Sequence, residues 1–429
     1  MELPAAKINR TGKSAIVVAF LSLIFYRVSL DLAYFFLAAR LDDYARLTEI
    51  NFGWMKFIES YILLFLLFVF LPKSRRKISS WIIWLTVLFS YVPMLTLFAF
   101  MDKDRLFTYA VFGFWIFVAS LLKIFPLIKF KYLTKIQSQF ILASLPWIFL
   151  PATIILIYFY VGFSINFNFS NVYSIRDKFQ SVNIPLASYF FTWIAYVINP
   201  FLSIFYIKKR NWLMLLAVIV TQIVLFSATG NKTFIFTLPF IFFLIWVLRR
   251  GNPYAWIYFV FGAFCLAGIF SYWSVGDRWT YFIFARRTLL APAQLAFFYR
   301  DFFSQNSLLY LSAHHFFSWI TIYPYKLDPP NLIGTLYLNS PQTSANNGIY
   351  SDAFMNFGYW GFVIWAVVFS FIMKLIDSLS RKKDFALCLA AVSMLPIVFT
   401  NAALLTSIFT NGLLVALVMI YLAPVENEI

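Results

Sequence analysis

The sequence predicts an all-α, polytopic integral membrane protein with about twelve transmembrane helices. Hydrophobic residues make up 62% of the chain and charged residues only 12%, against roughly 45–50% and 25% in soluble globular proteins. Uncharged apolar runs such as 140–160 and 254–272 are long enough to cross about 30 Å of hydrocarbon as helices. The basic residues, which give a net charge of +17, are dispersed between these runs. We therefore expect the lipid bilayer as a partner and no nucleic acid.

The apolar runs define a single transmembrane domain, 1–429. The predicted spans are 14–38, 53–72, 80–100, 106–125, 138–161, 187–206, 212–229, 233–248, 254–273, 357–376, 385–400 and 403–422. The first apolar run has no small-residue cleavage site before Arg27, so we expect the first span to be retained. An even number of spans places both termini on the same side of the membrane.

The distribution of basic residues orients these spans. Of the 34 Lys and Arg residues, 20 lie in short loops on the side of the N-terminus. Cytoplasmic loops carry the excess of Lys and Arg in membrane proteins. Both termini are therefore predicted to be cytoplasmic.

Two outward segments are long enough to build a functional site: 162–186 and 274–356. The larger segment interleaves aromatic residues with charges, which predicts short amphipathic helices at the outer membrane interface. The chain contains no Gly-rich phosphate loop, HExxH, GxSxG or Cys/His metal spacing, so neither a metal nor a cofactor is expected. Cys265 and Cys388 both fall within apolar runs, which favours inert thiols.

Four arginines in the larger segment form the main candidate site. Arg278, Arg286, Arg287 and Arg300 all lie at an apolar interface, and guanidinium groups bind phosphate oxygens in a bidentate manner. A set of such groups can stabilise a departing diphosphate. Alternatively, these arginines contact lipid headgroups or pair with Asp277 and Asp301.

The same segment holds the candidate bases. His314 and His315 are the only histidines, and an imidazole can accept a proton from an attacking hydroxyl or hold a phosphate. Asp301 and Asp352 are alternative bases. A structural role for the histidine pair remains open.

Three further sets of polar residues stand out. The turn 227–233 places Lys232 on the outer face, where it can reach a phosphate or simply extend to the interface. Arg176 lies in the segment 162–186 beside aromatic and Asn residues, a composition that can bind sugar. Arg27 and Asp31 are four residues apart within the first span, so they share a helix face and are expected to neutralise each other.

Three segments resemble the Wzy-like oligosaccharide repeat-unit polymerases of bacterial O-antigen and capsule synthesis. They are 227–239 (SATGNKTFIFTLP), 285–303 (ARRTLLAPAQLAFFYRDFF) and 344–362 (SANNGIYSDAFMNFGYWGF). In the third segment an Asn-rich stretch, an acidic residue and Asn-Phe-Gly precede a span, as in that family. The repeated Arg-x10-Gly pattern discussed for some members is absent from this sequence.

The resemblance implies a metal-independent membrane glycosyltransferase with a GT-C-like fold in the bacterial inner membrane. Its substrate is undecaprenyl-diphosphate-linked oligosaccharide, and a chain-length regulator and a flippase are the implied partners. The implied roles are diphosphate stabilisation by Arg278, Arg286, Arg287 and Lys232, proton acceptance by His315 or Asp301, and sugar binding by Asn346, Asn347 and Asp352. An O-antigen ligase or a lipid-linked oligosaccharide flippase is the alternative function.

Overall fold

Helices account for nearly all of the regular structure in the part of the chain that is described. The computed structural model describes residues 13–41, 46–161, 187–314, 317, 319, 321–340 and 343–426. Within these ranges there is no β-strand, and a lone bridge joins Lys383 to Val425. The predicted all-α class is confirmed.

The helices follow one another along the chain, most of them after connections of fewer than ten residues. In chain order they are α1 (Ser14–Leu41), α2 (Trp54–Phe70), α3 (Ile78–Phe100), α4 (Arg105–Ile124), α5 (Lys135–Val161), α6 (Ala187–Lys209), α7 (Trp212–Thr229), α8 (Lys232–Leu248), α9 (Pro253–Val275), α10 (279–303), α11 (Pro329–Leu338), α12 (Ile349–Phe357), α13 (Trp360–Ser380), α14 (Phe385–Asn401) and α15 (Leu404–Leu422). Helices α10, α11 and α12 lie in the predicted outward segment 274–356.

Within the described ranges, nine helices are long and apolar enough to cross a membrane: α1, α3, α4, α5, α6, α7, α9, α13 and α15. This finding is consistent with a polytopic membrane protein. The other three predicted spans coincide with the shorter helices α2, α8 and α14. Helix α14 is interrupted at Ser393 and Met394, just before Pro396, whose ring removes a backbone donor.

Helix α3 occupies the centre of the bundle. Every residue in its 18-residue apolar stretch is buried, whereas only 22% of the residues in the corresponding stretch of α5 are buried. Helices α1 and α9 pack closely against each other, since a Cβ at Gly262 would lie only 3.0 Å from the Cα of Tyr26. Both contact α3, through the Tyr26 hydroxyl at the Leu88 carbonyl and through the rings of Phe261 and Phe89. Apolar side chains of α5 such as Trp147 and Phe159 are exposed, as expected for a helix that faces lipid.

A charged cluster lies inside the bundle, at the contact of α1, α2 and α3. Arg27 is fully buried and forms an ion pair with Asp31 one helical turn away. The same guanidinium donates to the hydroxyls of Thr96 and of Ser60, the latter at 3.0 Å. The Tyr61 hydroxyl donates to Asp31 at 2.8 Å. The predicted pairing of Arg27 and Asp31 is confirmed.

Four stretches of π-helix interrupt the α-helical pattern in the part of the chain that the structure describes. They are Tyr34–Ala38, Val87–Tyr91, Ile194–Ile198 and Phe282–Leu290. Wide π-turns in α-helices often occur at functional sites. The last of them contains Arg286 and Arg287.

Candidate functional site

Helix α10 carries the predicted arginine cluster. It begins after Gly276, which ends α9 in the left-handed region at φ +71°. The Asp277 carboxylate accepts hydrogen bonds from the backbone N–H of Trp279 at 2.9 Å and from the side chain of Ser271 at 2.9 Å. These hydrogen bonds lower the pKa of Asp277. An ionised carboxylate at the start of a helix also suits the helix dipole.

Aromatic packing holds the first half of α10 against α9. The rings of Phe264 and Phe284 stack with centroids 4.2 Å apart. Gly268 gives Tyr281 room to approach, because a Cβ there would lie 3.1 Å from the Tyr281 Cα. In the π-helical stretch that follows, the Thr288 hydroxyl donates to the Ile283 carbonyl at 2.7 Å, five residues back. The backbone that positions Arg286 and Arg287 is thus fixed on both sides.

The arginines of this cluster differ in their surroundings. Arg287 and Arg278 are exposed, and among the described residues no carboxylate lies within ion-pair distance of either. Arg286 is half-buried, and its guanidinium lies 5.1 Å from the centre of the Phe282 ring. Arg287 therefore carries a positive charge that a ligand can reach.

Arg300, at the end of α10, is engaged by the protein. It contacts Asp104 at 2.7 Å and Asp301 at 3.1 Å, and it hydrogen-bonds the Tyr359 side chain. Asp104 in turn accepts a hydrogen bond from the Phe107 N–H, which caps α4. Arg300 was predicted to bind substrate. In the structure its guanidinium instead forms ion pairs with two carboxylates of the protein.

The predicted Lys232 turn lies close to the arginine helix. Gly230 adopts φ +63° at the end of α7, and the Asn231 side chain accepts hydrogen bonds from the N–H and hydroxyl of Thr233, at 3.2 Å and 2.6 Å. Lys232 is half-buried at the start of α8. The Thr233 hydroxyl lies 2.6 Å from the Tyr196 hydroxyl of α6.

Tyr196 joins α6 to this turn through its contact with Thr233, and the charge of Arg287 is one of the weaker electrostatic influences on its hydroxyl. Sequence analysis did not single out Tyr196, Asn231 or Thr233. A tyrosine within an apolar span has no sequence pattern that separates it from aromatic packing residues. Only the fold brings α6, α8 and α10 together.

Asp352 occupies a structural position inside the protein. Its carboxylate is fully buried and accepts three hydrogen bonds: from the Trp365 indole at 2.8 Å, from the Leu404 N–H at 2.7 Å and from the Asn356 amide at 2.9 Å. Burial raises the pKa of Asp352 to about 6, although these donors act in the opposite direction. Asp352 thus joins α12, α13 and α15, which differs from its predicted role in binding sugar or accepting a proton.

The third family-like segment, 344–362, shows the same structural character. A Cβ at Gly361 would lie 1.8 Å from the Ala353 carbonyl oxygen, and one at Gly348 would lie 2.3 Å from that of Thr400. Backbone contacts as close as these require glycine. The side-chain oxygen of Asn356 accepts a hydrogen bond from the Leu311 N–H at 2.8 Å. This hydrogen bond fixes the chain just before His314.

The remaining predicted residues are divided between surface and interior. Asn346 is exposed and lies 3.4 Å from the Asn401 side chain, whereas Asn347 is half-buried beside the Met355 sulfur. His314 is half-buried, and Asp301 is partly exposed beside Arg300. Arg176 and His315 lie outside the described residues. In the described ranges, no three His, Cys, Asp or Glu side chains converge as metal ligands would.

A crevice beneath α10 and α12 adds no charged group to this arrangement. It has an empty volume of about 290 Å³, including its mouth. Its polar lining comes from Ser90, Tyr350, Ser351 and Thr400. The Tyr350 hydroxyl already contacts Ser90 at 2.8 Å and the Trp115 indole at 2.7 Å.

Comparisons with known proteins identify no relative: no family model, no curated protein and no solved structure matches the chain. The site itself is a surface with accessible guanidinium groups, a half-buried lysine and hydroxyl groups between α6, α8 and α10. Such a surface can bind an anion with several oxygen atoms, such as a phosphate or diphosphate.

Proposed function

We propose that the protein is a membrane glycosyltransferase that polymerises undecaprenyl-diphosphate-linked oligosaccharide repeat units. The product is O-antigen or capsular polysaccharide, made at the outer face of the bacterial inner membrane. In this proposal all twelve predicted spans cross the membrane in a GT-C-like arrangement, with both termini cytoplasmic. The three shorter helices are about 25 Å long, which approaches the hydrocarbon thickness.

The observation that carries the proposal is the accessible charge of Arg287 beside the Tyr196–Thr233–Asn231 chain of polar groups. Two of the three family-like segments, 227–239 and 285–303, contribute to this one surface. Arg287, Arg286 and Arg278, with Lys232, would bind the diphosphate of the donor. Preorganised donors of this kind stabilise charge that develops on a leaving group.

The reaction would be a direct displacement at a sugar carbon. The non-reducing-end hydroxyl of the incoming lipid-linked repeat unit attacks the anomeric carbon that joins the growing glycan to its carrier. The bond from this carbon to the phosphate oxygen breaks, and undecaprenyl diphosphate leaves with the electron pair. His315 or Asp301 would accept the hydroxyl proton. The chain-length regulator and flippase are partners that this proposal inherits from the family resemblance.

The interior of the bundle favours this proposal over transport. A transporter usually places charged or helix-breaking residues around a substrate site near the midplane. Here Arg27 and Asp31 lie deep in a described span, but side chains of the protein surround both and leave no open site there. Arg287, whose charge is accessible, lies instead in the predicted outward segment.

Gene deletion with complementation tests the proposal. A strain that lacks the gene is complemented with wild type, Arg287→Ala, Arg287→Lys or Arg286→Ala, and surface polysaccharide is resolved on a gel. The matched control is Arg381→Ala, which changes an exposed arginine directly after the last residue of α13. Immunoblots show whether each variant reaches the membrane.

We expect the deletion to reduce a ladder of chain lengths to a single repeat unit. Arg381→Ala restores the ladder, whereas Arg287→Ala lowers polymerisation by about 10²–10³-fold, as expected for the loss of a preorganised donor. Arg287→Lys keeps the charge but not the bidentate geometry, so its ladder should be intermediate. Loss of all repeat units with accumulation of lipid-linked precursor would instead identify a ligase or flippase. An unchanged ladder in the deletion strain would refute a role in this polysaccharide.

A further inference from the structure

The turn between α2 and α3 is held in place by side chains from neighbouring helices. Three aromatic side chains donate hydrogen bonds to three backbone carbonyls of this turn. They are Trp84 to Pro72 at 2.8 Å, Tyr254 to Ser74 at 3.0 Å, and Trp81 to Arg75 at 3.2 Å. Because these carbonyls are fixed, the position of Lys73 between them is also fixed.

Lys73 lies at a crevice formed by α1, α2, α3 and α9. The crevice has an empty volume of about 280 Å³, including its mouth. Its walls are mostly apolar, with Ala15, Ile16, Phe68 and Trp84 among the lining residues. Ile16 is exposed on the outside of α1, so the crevice borders the surface that faces lipid. This end of the bundle is the end nearest the N-terminus.

Two polar groups in the crevice have unused hydrogen-bonding capacity. The Lys73 ammonium donates hydrogen bonds to the Val69 and Leu71 carbonyls, both at 3.2 Å. An ammonium has three protons, so one of them can still be donated to a ligand. Tyr258 lines the crevice with only 1% of its surface exposed, and no described residue hydrogen-bonds its hydroxyl. A buried hydroxyl without a partner costs free energy. A bound acceptor at this position would remove that cost.

The charge of the crevice favours an anion. No described carboxylate lies within ion-pair distance of Lys73. Burial lowers the pKa of Lys73 to about 8, and an anionic ligand would counter this effect. Arg75, Arg76 and Lys77 follow on the same turn, and the Nε atom of Arg75 is also buried without a hydrogen bond to a described residue.

From these observations we infer that the crevice binds the phosphate of an anionic phospholipid from the leaflet on the side of the N-terminus. Lys73 and the Tyr258 hydroxyl bind the phosphate oxygens, and an acyl chain lies along the apolar surface beside Ile16 and Phe68. Basic pockets between transmembrane helices bind acidic headgroups in this way. The zwitterionic headgroup of phosphatidylcholine would bring its own cation towards Lys73 and Arg75. The inference goes beyond the proposed enzymatic function and does not depend on it.

Lipid binding to the purified full-length protein tests this inference. The protein is delipidated in detergent, and its melting temperature is measured against phosphatidylglycerol, phosphatidylcholine or inorganic phosphate. Lys73→Gln and Tyr258→Phe remove the two polar groups. Lys209→Gln is the matched control, because Lys209 is an exposed lysine on the same side of the membrane, outside the crevice.

We expect phosphatidylglycerol to stabilise wild type and Lys209→Gln at the same concentration. Lys73→Gln should bind it about tenfold more weakly, which corresponds to the loss of one charge-assisted hydrogen bond. Tyr258→Phe should weaken lipid binding without lowering the lipid-free melting temperature, and should raise it slightly, because the buried hydroxyl it removes has no described hydrogen-bond partner. Weaker lipid binding without a loss of lipid-free stability would show that the Tyr258 hydroxyl contacts the lipid and does not hold the fold together.

Three results would overturn the inference. Equal binding of phosphatidylglycerol by Lys73→Gln and wild type would remove Lys73 from the site. Equal stabilisation by phosphatidylcholine would show that the crevice does not select an anionic headgroup. Equal stabilisation by inorganic phosphate would identify a site for a free anion and not for a lipid.

Discussion

Arg27 and Arg287 are both arginines at helical positions, but the protein treats them in opposite ways. Arg27 is completely buried and contacts Asp31, Thr96 and Ser60. Arg287 is exposed, with no described carboxylate in ion-pair distance. The difference shows that the charge inside the bundle is committed to the fold, whereas the charge at the outer segment is available to a ligand.

The physical reason is the cost of removing a charge from water. An ion in a low-dielectric interior must be paired and hydrogen-bonded, otherwise it loses several kcal/mol of solvation. Asp31 meets this requirement with donors from three helices. At an interface, water solvates a guanidinium until a ligand replaces it. An arginine there need not have a partner within the fold.

Arg300 shows that position in the outward segment alone does not make an arginine available. It lies thirteen residues beyond Arg287 in the same helix, yet it contacts Asp104 and Asp301. Its neighbours, and not its place in the sequence, give it a structural role. The predictions below test this distinction between committed and available charge.

The largest effect is expected from Asp31→Ala. This change leaves the Arg27 charge buried without its counterion, which typically destabilises a protein by about 3–5 kcal/mol. An SDS unfolding titration of the purified protein would measure the loss. Asp102→Asn is the control, because its half-exposed pair with Lys56 should contribute no more than about 1 kcal/mol. Equal effects of the two variants would contradict a committed role for the buried pair.

A smaller effect on stability is expected from the ionisation of the buried Asp352 carboxylate. Burial raises its pKa from 3.8 to about 6 in the folded protein. Between these values the folded state binds more protons than the unfolded state, so stability falls as the pH rises from about 4 to about 6. The contribution has an upper limit of about 3 kcal/mol, since one pKa unit corresponds to about 1.36 kcal/mol.

Asp352→Asn cannot titrate and should lack this pH dependence. Melting temperatures of both proteins at pH 4, 5, 6 and 7 would measure it, because other titrating groups cancel in the difference. The wild-type value should fall relative to the variant as the pH rises. A constant difference across the series would show that the Trp365, Leu404 and Asn356 donors offset the effect of burial on the pKa.

The smallest effect on stability is expected from Arg287→Ala. An exposed side chain without an ion pair usually changes the free energy of unfolding by no more than about 0.5 kcal/mol. The same SDS titration would check this value against wild type. If Arg287→Ala destabilised the protein as much as Asp31→Ala, Arg287 would be a structural residue and the proposed diphosphate site would lose its main support.

Much of the architecture could be predicted from composition and periodicity. Each predicted span coincides with a helix in the structure, although α2, α8 and α14 are shorter than the others. The pairing of Arg27 with Asp31 followed from their spacing on one helix face. These features depend on local hydrophobicity and on helix geometry, which a sequence displays directly.

The candidate site could be predicted only in part. The sequence indicated Arg287 and Lys232, but it did not indicate Tyr196 of α6, whose hydroxyl contacts Thr233. It also suggested that Asp352 faces a ligand, whereas the carboxylate caps the backbone at Leu404 and binds the Trp365 indole. The partners of both residues are far away in the chain, so no local pattern reports them.

The sequence by itself determined that the chain is helical and that its apolar runs suit a membrane. Only the tertiary structure decided which polar residues are committed and which are available. The reason is physical: a charged side chain's role depends on the dielectric and the donors around it. Both are set by contacts between helices that are distant in the chain, such as α12 with α15 at Asp352 and α6 with α8 at Tyr196.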